Sequence, residues 1–207
     1  HPTVLFVNGL GSQLIAYRDA WCRLVVDAGF HVVRYDNRDV GLSTKTPGNP
    51  PTLADTVAAL AAGVASPAAY SVSDMAADGM AVLDDLGVTS AHVWGMSMGG
   101  MIVQTMAIEH PDRVRSMTSV MSTTGSRSVG QSTPEASAAL MSTPPADRAG
   151  YIDADVAARH VYASHDVDWD EVRAYVGAQY DRCYHPAGVG HQMAAVISDG
   201  DRTERLA

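Results

Sequence analysis

Gly95-Met96-Ser97-Met98-Gly99-Gly100 follows the apolar run Ala91-His92-Val93-Trp94 and precedes Met101, Ile102, Thr105, Met106 and Ile108, which recur at helical spacing. A G-x-S-x-G pentapeptide between a buried strand and a helix is where a nucleophilic serine is placed. A serine hydroxyl attacks poorly unless a base removes its proton and its side chain is presented outward, and a sharp strand-to-helix bend does the second. Small residues at 95 and 99 let the bend close. The helix that begins there puts free N–H groups and a positive dipole end beside any charge growing near Ser97. The stretch lacks the G-x-G-x-x-G register of a strand–helix phosphate site. Ser97 is therefore the expected nucleophile.

Upstream, the same alternation repeats. Val4-Leu5-Phe6-Val7 reads as a strand buried on both faces, Asn8-Gly9-Leu10-Gly11 interrupts it, and Leu14 to Ala28 reads as one amphipathic helix ended by Gly29. His31 to Tyr35 is a second strand, followed by a polar loop from Asp36 to Gly48 and prolines at 47, 50 and 51. The alanine-rich stretch 53–65 reads as helical. Ser71 and Asp74 have capping-box spacing ahead of a helix carrying Met75, Val82, Leu83 and Leu86 on one face until Gly87. His110-Pro111 stops the helix after Ser97, and Val114 to Met121 is a fourth strand.

Strands alternating with helices specify an α/β fold, a mostly parallel sheet flanked by helices. From Thr123 to about Pro145 the composition is that of a loop, and 146–199 has helical periodicity without a strand. The expected organisation is a core over 1–124, a helical cap over 125–199, and a lead-in to further core strands over 200–207.

An acyl-transfer enzyme needs donors for the oxyanion of its tetrahedral intermediate. The backbone N–H of Met98, directly after the nucleophile, is one. The loop after the first strand supplies the other, and Leu10 N–H is the choice there, since glycines on either side let backbone approach substrate. Asn8, Gly9 and Met96 are expected around the substrate, with Gln104 a weaker candidate for orienting it. In the loop from Asp36 to Ser43 the expected roles are structural: Asp36 and Arg38 satisfy backbone groups or pair with each other, and Gly41 suits a left-handed turn.

The 207 residues carry 46% hydrophobic residues, enough for one sizeable core, and a formal charge of −9 without any Lys/Arg cluster. Nucleic acid and anionic lipid are thus not expected partners. Cys22 and Cys183 lack metal-ligand spacing, and a reducing cytoplasm is the expected location. The stretch holds no run of eighteen apolar residues and no signal-peptide pattern. A homodimer is left open.

Asn8-Gly9-Leu10-Gly11, the run Arg34-Tyr35-Asp36-Asn37-Arg38-Asp39-Val40-Gly41-Leu42-Ser43, and Gly95 to Gly100 resemble the α/β-hydrolase superfamily, in the branch of aclacinomycin-type methyl esterases. The resemblance covers nearly the whole chain. It implies an eight-stranded sheet whose first two strands are absent here, a helical cap between the sixth and seventh strands, and hydrolysis of a carboxylic ester. It also implies a catalytic acid after the seventh strand and a histidine after the eighth, both beyond Ala207.

The chain order serine, acid, histidine puts the base downstream of Ser97, where His110, His160, His165, His185 and His191 lie. His110 closes the far end of the nucleophile helix. The others fall in the expected cap, and neither His185 nor His191 follows a strand, so surface or pocket-lining roles are expected for them. The acidic run from His165 to Glu171 has D-x-D-x-D spacing, yet Glu171 and Gly177 stand where an EF-hand requires glycine and glutamate. A helix start explains it, and no metal or cofactor is expected.

The expected activity is a serine hydrolase cleaving an ester of a small or medium apolar molecule through an acyl-enzyme, with little turnover from the 207 residues alone. The alternatives are a perhydrolase, thioesterase or lactonase on the same fold, or a binding protein that keeps the scaffold without catalysis.

Overall fold

The computed structural model describes residues 1–126, 128–163 and 166–207. Two compact units emerge, His1–Val129 with His185–Ala207, and Gly130–Tyr184. In the first, β1 (Thr3–Val7), α1 (Asp19–Asp27), β2 (His31–Arg34), α2 (Leu53–Ala62), α3 (Val72–Asp85), β3 (Ala91–Met96), α4 (Met98–Glu109) and β4 (Val114–Val120) follow in order. The four strands form one parallel sheet in the order β2-β1-β3-β4.

Period-2 alternation assigns each strand residue to a face. Leu5 pairs in register with Val33 and Val93, and these pack with Val7, Met75, Leu83, Ile102 and Met106 between the sheet and helices α3 and α4. Phe6 points the other way and meets Tyr17 and Cys22, with Val32 and Trp94 beside them. Its ring lies 5.0 Å from Tyr17 and 4.5 Å from Trp21, centroid to centroid. Leu5, Phe6 and Val7 are at most 1% exposed, and each such side chain contributes on the order of 1.5–3 kcal/mol by leaving water.

Helix ends follow side-chain chemistry. The Ser71 hydroxyl accepts from the Asp74 amide while the Asp74 carboxylate accepts from the Ser71 amide, so the capping box is formed. Thr52 caps α2, and Gly63 closes it at φ 64°. The single helix expected over 14–28 is instead a 3-10 turn at Leu14–Ala16 and a separate α1. Tertiary ties explain the break: the Asp36 carboxylate accepts from the Leu14 amide at 2.7 Å, and the Tyr17 hydroxyl donates to Val7 O at 2.8 Å. Both hold the chain where a continuous helix cannot reach.

The second unit comprises α5 (Pro134–Leu140), α6 (Arg148–Tyr162) and α7 (Trp169–Arg182). Ile152, Val156 and Val176 form its small core. Arg148 makes two 2.7 Å contacts to the Asp181 carboxylate. In the acidic run, Asp168 caps α7 by accepting from the Glu171 amide at 3.0 Å, which is the helix start read from sequence. His165 lies outside the described residues.

Helix α8 (Pro186–Ser198) groups with the sheet, so the compact helical unit ends at Tyr184. Its buried residues include His191, Gln192, Ala194 and Ala195. Beyond it, Arg202 is 1% exposed and reaches Gln104 Oε1 at 3.2 Å and Thr123 O at 3.2 Å, paired with Asp199.

Candidate active site

Strand order reverses between β1 and β3: the chain leaves β1 toward β2 on one side, and leaves β3 toward β4 on the other. Loops that part in this way open a crevice at the carboxyl ends of the strands, where ligands of open α/β sheets bind. Val7 is the register partner of Gly95, so residues 8–11 and 96–98 emerge side by side from the sheet.

Ser97 stands at that point with φ 56° and ψ −121°, a conformation a side-chain-bearing residue rarely adopts. The strain, on the order of 1–3 kcal/mol, is held by the surroundings. The Ser97 amide donates to Val120 O at 2.9 Å, and its carbonyl accepts from Gly100 N at 2.8 Å. Although Ser97 occupies the N-cap of α4, its hydroxyl makes no cap hydrogen bond, and the residue is exposed. The bend therefore turns a natural capping side chain outward.

Two glycines make the bend sterically feasible. A Cβ at Gly95 would lie 2.1 Å from Gly99 O, and one at Gly99 would lie 2.1 Å from Val7 O. Gly9 sits against the serine itself, its notional Cβ 3.2 Å from Ser97 Cβ and 3.7 Å from Ser97 Oγ. Among the described residues, the amides of Leu10 and Met98 have no acceptor within the chain. Both belong to segments bordering Ser97, and Met98 opens α4, where the helix dipole adds positive potential.

The loop from Asn8 to Leu14 is tied down around those amides. Asn37 Nδ2 donates to Asn8 O at 3.0 Å, Gly11 N donates to Gln192 Oε1 at 2.9 Å, and the Asp36 carboxylate takes the Leu14 amide. Asp36 also accepts from Leu42 N at 2.9 Å, and Gly41 has φ 51°. The segment 36–43 thus serves backbone groups, with one correction. Asp36 and Arg38 do not pair, because Arg38 makes a two-pronged contact to Asp78 at 2.6 and 2.7 Å and lies over the Tyr70 ring.

Asn8 is wholly buried, and its side-chain amide has no partner among the described residues. Met96 is half-buried, whereas the Met98 side chain packs in the core. Gln104 does not face the crevice with a free amide: Nε2 donates to Ser119 Oγ at 3.0 Å and Oε1 accepts from Arg202. Burial pushes the Cys22 thiol up, which removes it as a competing nucleophile near neutral pH.

No described histidine hydrogen-bonds the Ser97 hydroxyl. His110 is the C-cap of α4, and His160 stacks on Trp169 at 3.4 Å between centroids. His191 is 3% exposed with Nε2 3.4 Å from Gly48 O. Asn37 and Gln192 are the residues sequence reasoning missed. Their partners lie 29 and 181 positions away, and only the place of Asn37 within the Asp36–Ser43 loop signalled either.

The model of the alpha/beta hydrolase fold family matches residues 2–165. A rhodomycin D methylesterase of Streptomyces peucetius is 32% identical over 115 residues, covering 56% of this chain and 33% of that protein. Among solved structures, the 2-hydroxy-6-oxo-6-phenylhexa-2,4-dienoate hydrolase of Rhodococcus sp. strain RHA1 superimposes with a TM-score of 0.69 at 16% identity, over 100% of this chain and 66% of that one. The enol-lactonase of Burkholderia xenovorans LB400 gives a TM-score of 0.60 at 22% identity, over 97% of this chain and 66% of that one. The chain thus covers about a third of the curated relative it matches and about two thirds of the solved structures. A parallel sheet with its crevice at the β1/β3 reversal, a G-x-S-x-G bend and a family match over most of the length lead to one assignment: the chain belongs to the α/β-hydrolase fold family.

Proposed function

We propose that the protein hydrolyses a carboxylic ester of a small or medium apolar molecule, with Ser97 as nucleophile. Ser97 Oγ attacks the ester carbonyl carbon and its proton passes to a histidine base. The carbonyl oxygen becomes an oxyanion that accepts hydrogen bonds from the Leu10 and Met98 amides. Collapse of the intermediate expels the alkoxide, which takes the proton, and leaves an acyl-serine. Water, deprotonated by the same base, then attacks the acyl carbon and frees the acid.

The carrying observation is the strained, outward-turned Ser97, whose hydroxyl is excluded from capping its own helix and lies beside Gly9. Developing charge is the quantity to stabilise, and amides already fixed in place do so without reorganising. The matched relative named a methylesterase agrees with an ester substrate. In this reading a histidine base held by a carboxylate partner completes the site, as the family resemblance implies; among the described residues no histidine hydrogen-bonds the Ser97 hydroxyl.

The test is covalent labelling of the whole protein with an alkyl fluorophosphonate, followed by peptide mapping, alongside burst kinetics on p-nitrophenyl esters. A single adduct on Ser97 and a stoichiometric burst are expected, both lost in Ser97→Ala, with turnover down by up to about 10⁶-fold. Labelling that persists in Ser97→Ala, or ester turnover unaffected by it, overturns the proposal.

A further inference from the structure

We propose that Met121 is a specificity-determining residue, an apolar wall beside Ser97 that selects esters carrying a long apolar chain. The inference deepens the reading of Ser97 given above and rests on it. Among the described residues, three other than glycine have positive φ: Asp39 at 72°, Ser97 at 56° and Met121 at 48°. Asp39 suits that conformation, since its short carboxylate bonds locally, accepting from the Thr46 amide and hydroxyl. Met121 has no such bond to make, and a side chain of its bulk crowds the backbone in the left-handed region. Strain of this kind persists only where the surroundings hold it.

The surroundings are strands β3 and β4. Met96 is the register partner of Val120, and the Ser97 amide continues the ladder by donating to Val120 O at 2.9 Å. Ser97 and Met121 thus leave the carboxyl edge of the sheet as neighbours, on strands about 4.8 Å apart. Alternation along β4 puts Ser119, whose hydroxyl accepts from Gln104 Nε2, on the α4 face, and a straight strand would send Met121 to the same face. The left-handed turn prevents that. Ser122 takes the place against α4 instead, its Cβ 2.5 Å from the notional Gly100 Cβ, and Met121 stands 74% exposed. The next residues are pinned in turn: Thr123 O accepts from Arg202 Nη2 at 3.2 Å, and Thr124 O from Arg202 N at 2.8 Å. Held on both sides, the bend mounts Met121 firmly beside the serine.

The 8–11 loop borders Ser97 on the β1 side and carries the Leu10 amide, so residues 121 and 122 border it on the other. A carbonyl oxygen aimed at the Leu10 and Met98 amides leaves a substituent of the carbonyl carbon to run past the β4 side. There an unbranched thioether offers a soft, adaptable surface to a chain of several methylenes, and little to a one-carbon group that ends beside Ser97. Each methylene laid against it leaves water, which favours the longer ester.

The experiment compares the whole native protein with Met121→Ala, Met121→Leu and Met121→Asn, the last because asparagine tolerates positive φ. Two ester series are used, p-nitrophenyl acetate to octanoate, and methyl to octyl acetate followed by pH-stat. Thermal melting checks folding, and the labelling rate with a short-chain alkyl fluorophosphonate checks the chemistry at Ser97. Native protein should favour the long chain in one series, which identifies the side, acyl or alcohol, that Met121 touches. In Met121→Ala and Met121→Asn, kcat/KM for the long ester of that series should fall by about 10-fold, with the shortest ester and the labelling rate within about twofold of native. Met121→Leu should keep the native preference. The proposal is overturned by folded Met121→Ala and Met121→Asn that retain the native chain-length preference, by an equal fall for short and long esters, or by a native protein that treats both alike in both series. If native protein is not labelled at Ser97, the reading of the nucleophile fails and this proposal falls with it, an outcome distinct from labelled protein with an unchanged preference.

Discussion

Replacing Gly99 by alanine isolates the geometry of the serine bend, because local propensity and sterics pull in opposite directions there. Gly99 lies in the first turn of α4 and does not have positive φ, so alanine would by itself favour the helix by about 0.5–1 kcal/mol. Its Cβ, however, would lie 2.1 Å from Val7 O and 2.8 Å from Asn8 O, both backbone atoms. Relief requires a shift of roughly 1 Å, if atoms are to return to ordinary van der Waals separation. Val7 cannot simply recede, since it pairs with Gly95 and its carbonyl already receives the Tyr17 hydroxyl at 2.8 Å. Overpacking of this kind costs about 1–3 kcal/mol, which exceeds the propensity gain. With a shift of about 2–4 °C per kcal/mol for a chain of this size, the melting temperature should fall by several degrees.

The larger effect should be chemical: moving the bend by about 1 Å against the 8–11 loop should slow acylation of Ser97 by about 100-fold. The assay is stopped-flow labelling with a fluorophosphonate beside calorimetry, with Gly29→Ala as control. Gly29 has φ +93° and open space around its notional Cβ, so that substitution should lower the melting temperature through backbone strain and leave the labelling rate unchanged. Gly99→Ala melting at or above the native temperature and labelling at the native rate would refute the steric account of the bend.

Ser97→Gly should abolish labelling yet melt above Ser97→Ala by a margin of about 1 kcal/mol, because glycine accepts φ 56° without strain; equal melting temperatures would contradict the strain. Arg202→Ala should destabilise by about 3 kcal/mol, since it strands the Asp199 carboxylate and the Gln104 and Thr123 acceptors, and a loss under 1 kcal/mol by urea unfolding would contradict that role. Hydrogen bonds from Ser71 hold the Asp74 carboxyl below its usual 3.8. A depressed folded-state pKa gives stability that is present above the unfolded value and lost as pH falls through the folded one. The melting-temperature gap between native and Asp74→Ala should therefore be full at pH 6 and shrink below about pH 3.8, and a gap unchanged at pH 2.5 would contradict it.

Local patterns carried most of the sheet. β1 and β3 are built on short apolar runs next to helices with their own stop signals, and residues that neighbour one another decide both. β4, by contrast, is a largely polar, exposed strand. The serine bend was legible for the same reason: a strand, two small residues and a helix start occupy consecutive positions. What escaped the sequence depends on distant partners. Leu14 to Ala28 has the periodicity of one helix, but the Asp36 carboxylate and the Val7 carbonyl claim its first turn. Helix α8 reads like the helices before it, and its membership of the sheet unit comes from Gln192 and Val189 meeting a loop about 180 residues earlier. The sequence offered Arg38 only loop backbone groups or Asp36 two residues away; the fold brings Asp78, forty residues on, within 2.6 Å.

The most direct measurement is a crystal structure of the whole protein after reaction with a fluorophosphonate. The phosphorus should be bonded to Ser97 Oγ, with its phosphoryl oxygen about 2.7–3.1 Å from both the Leu10 and the Met98 nitrogens. An adduct on any other residue, or a phosphoryl oxygen turned to solvent away from those two amides, would contradict the account.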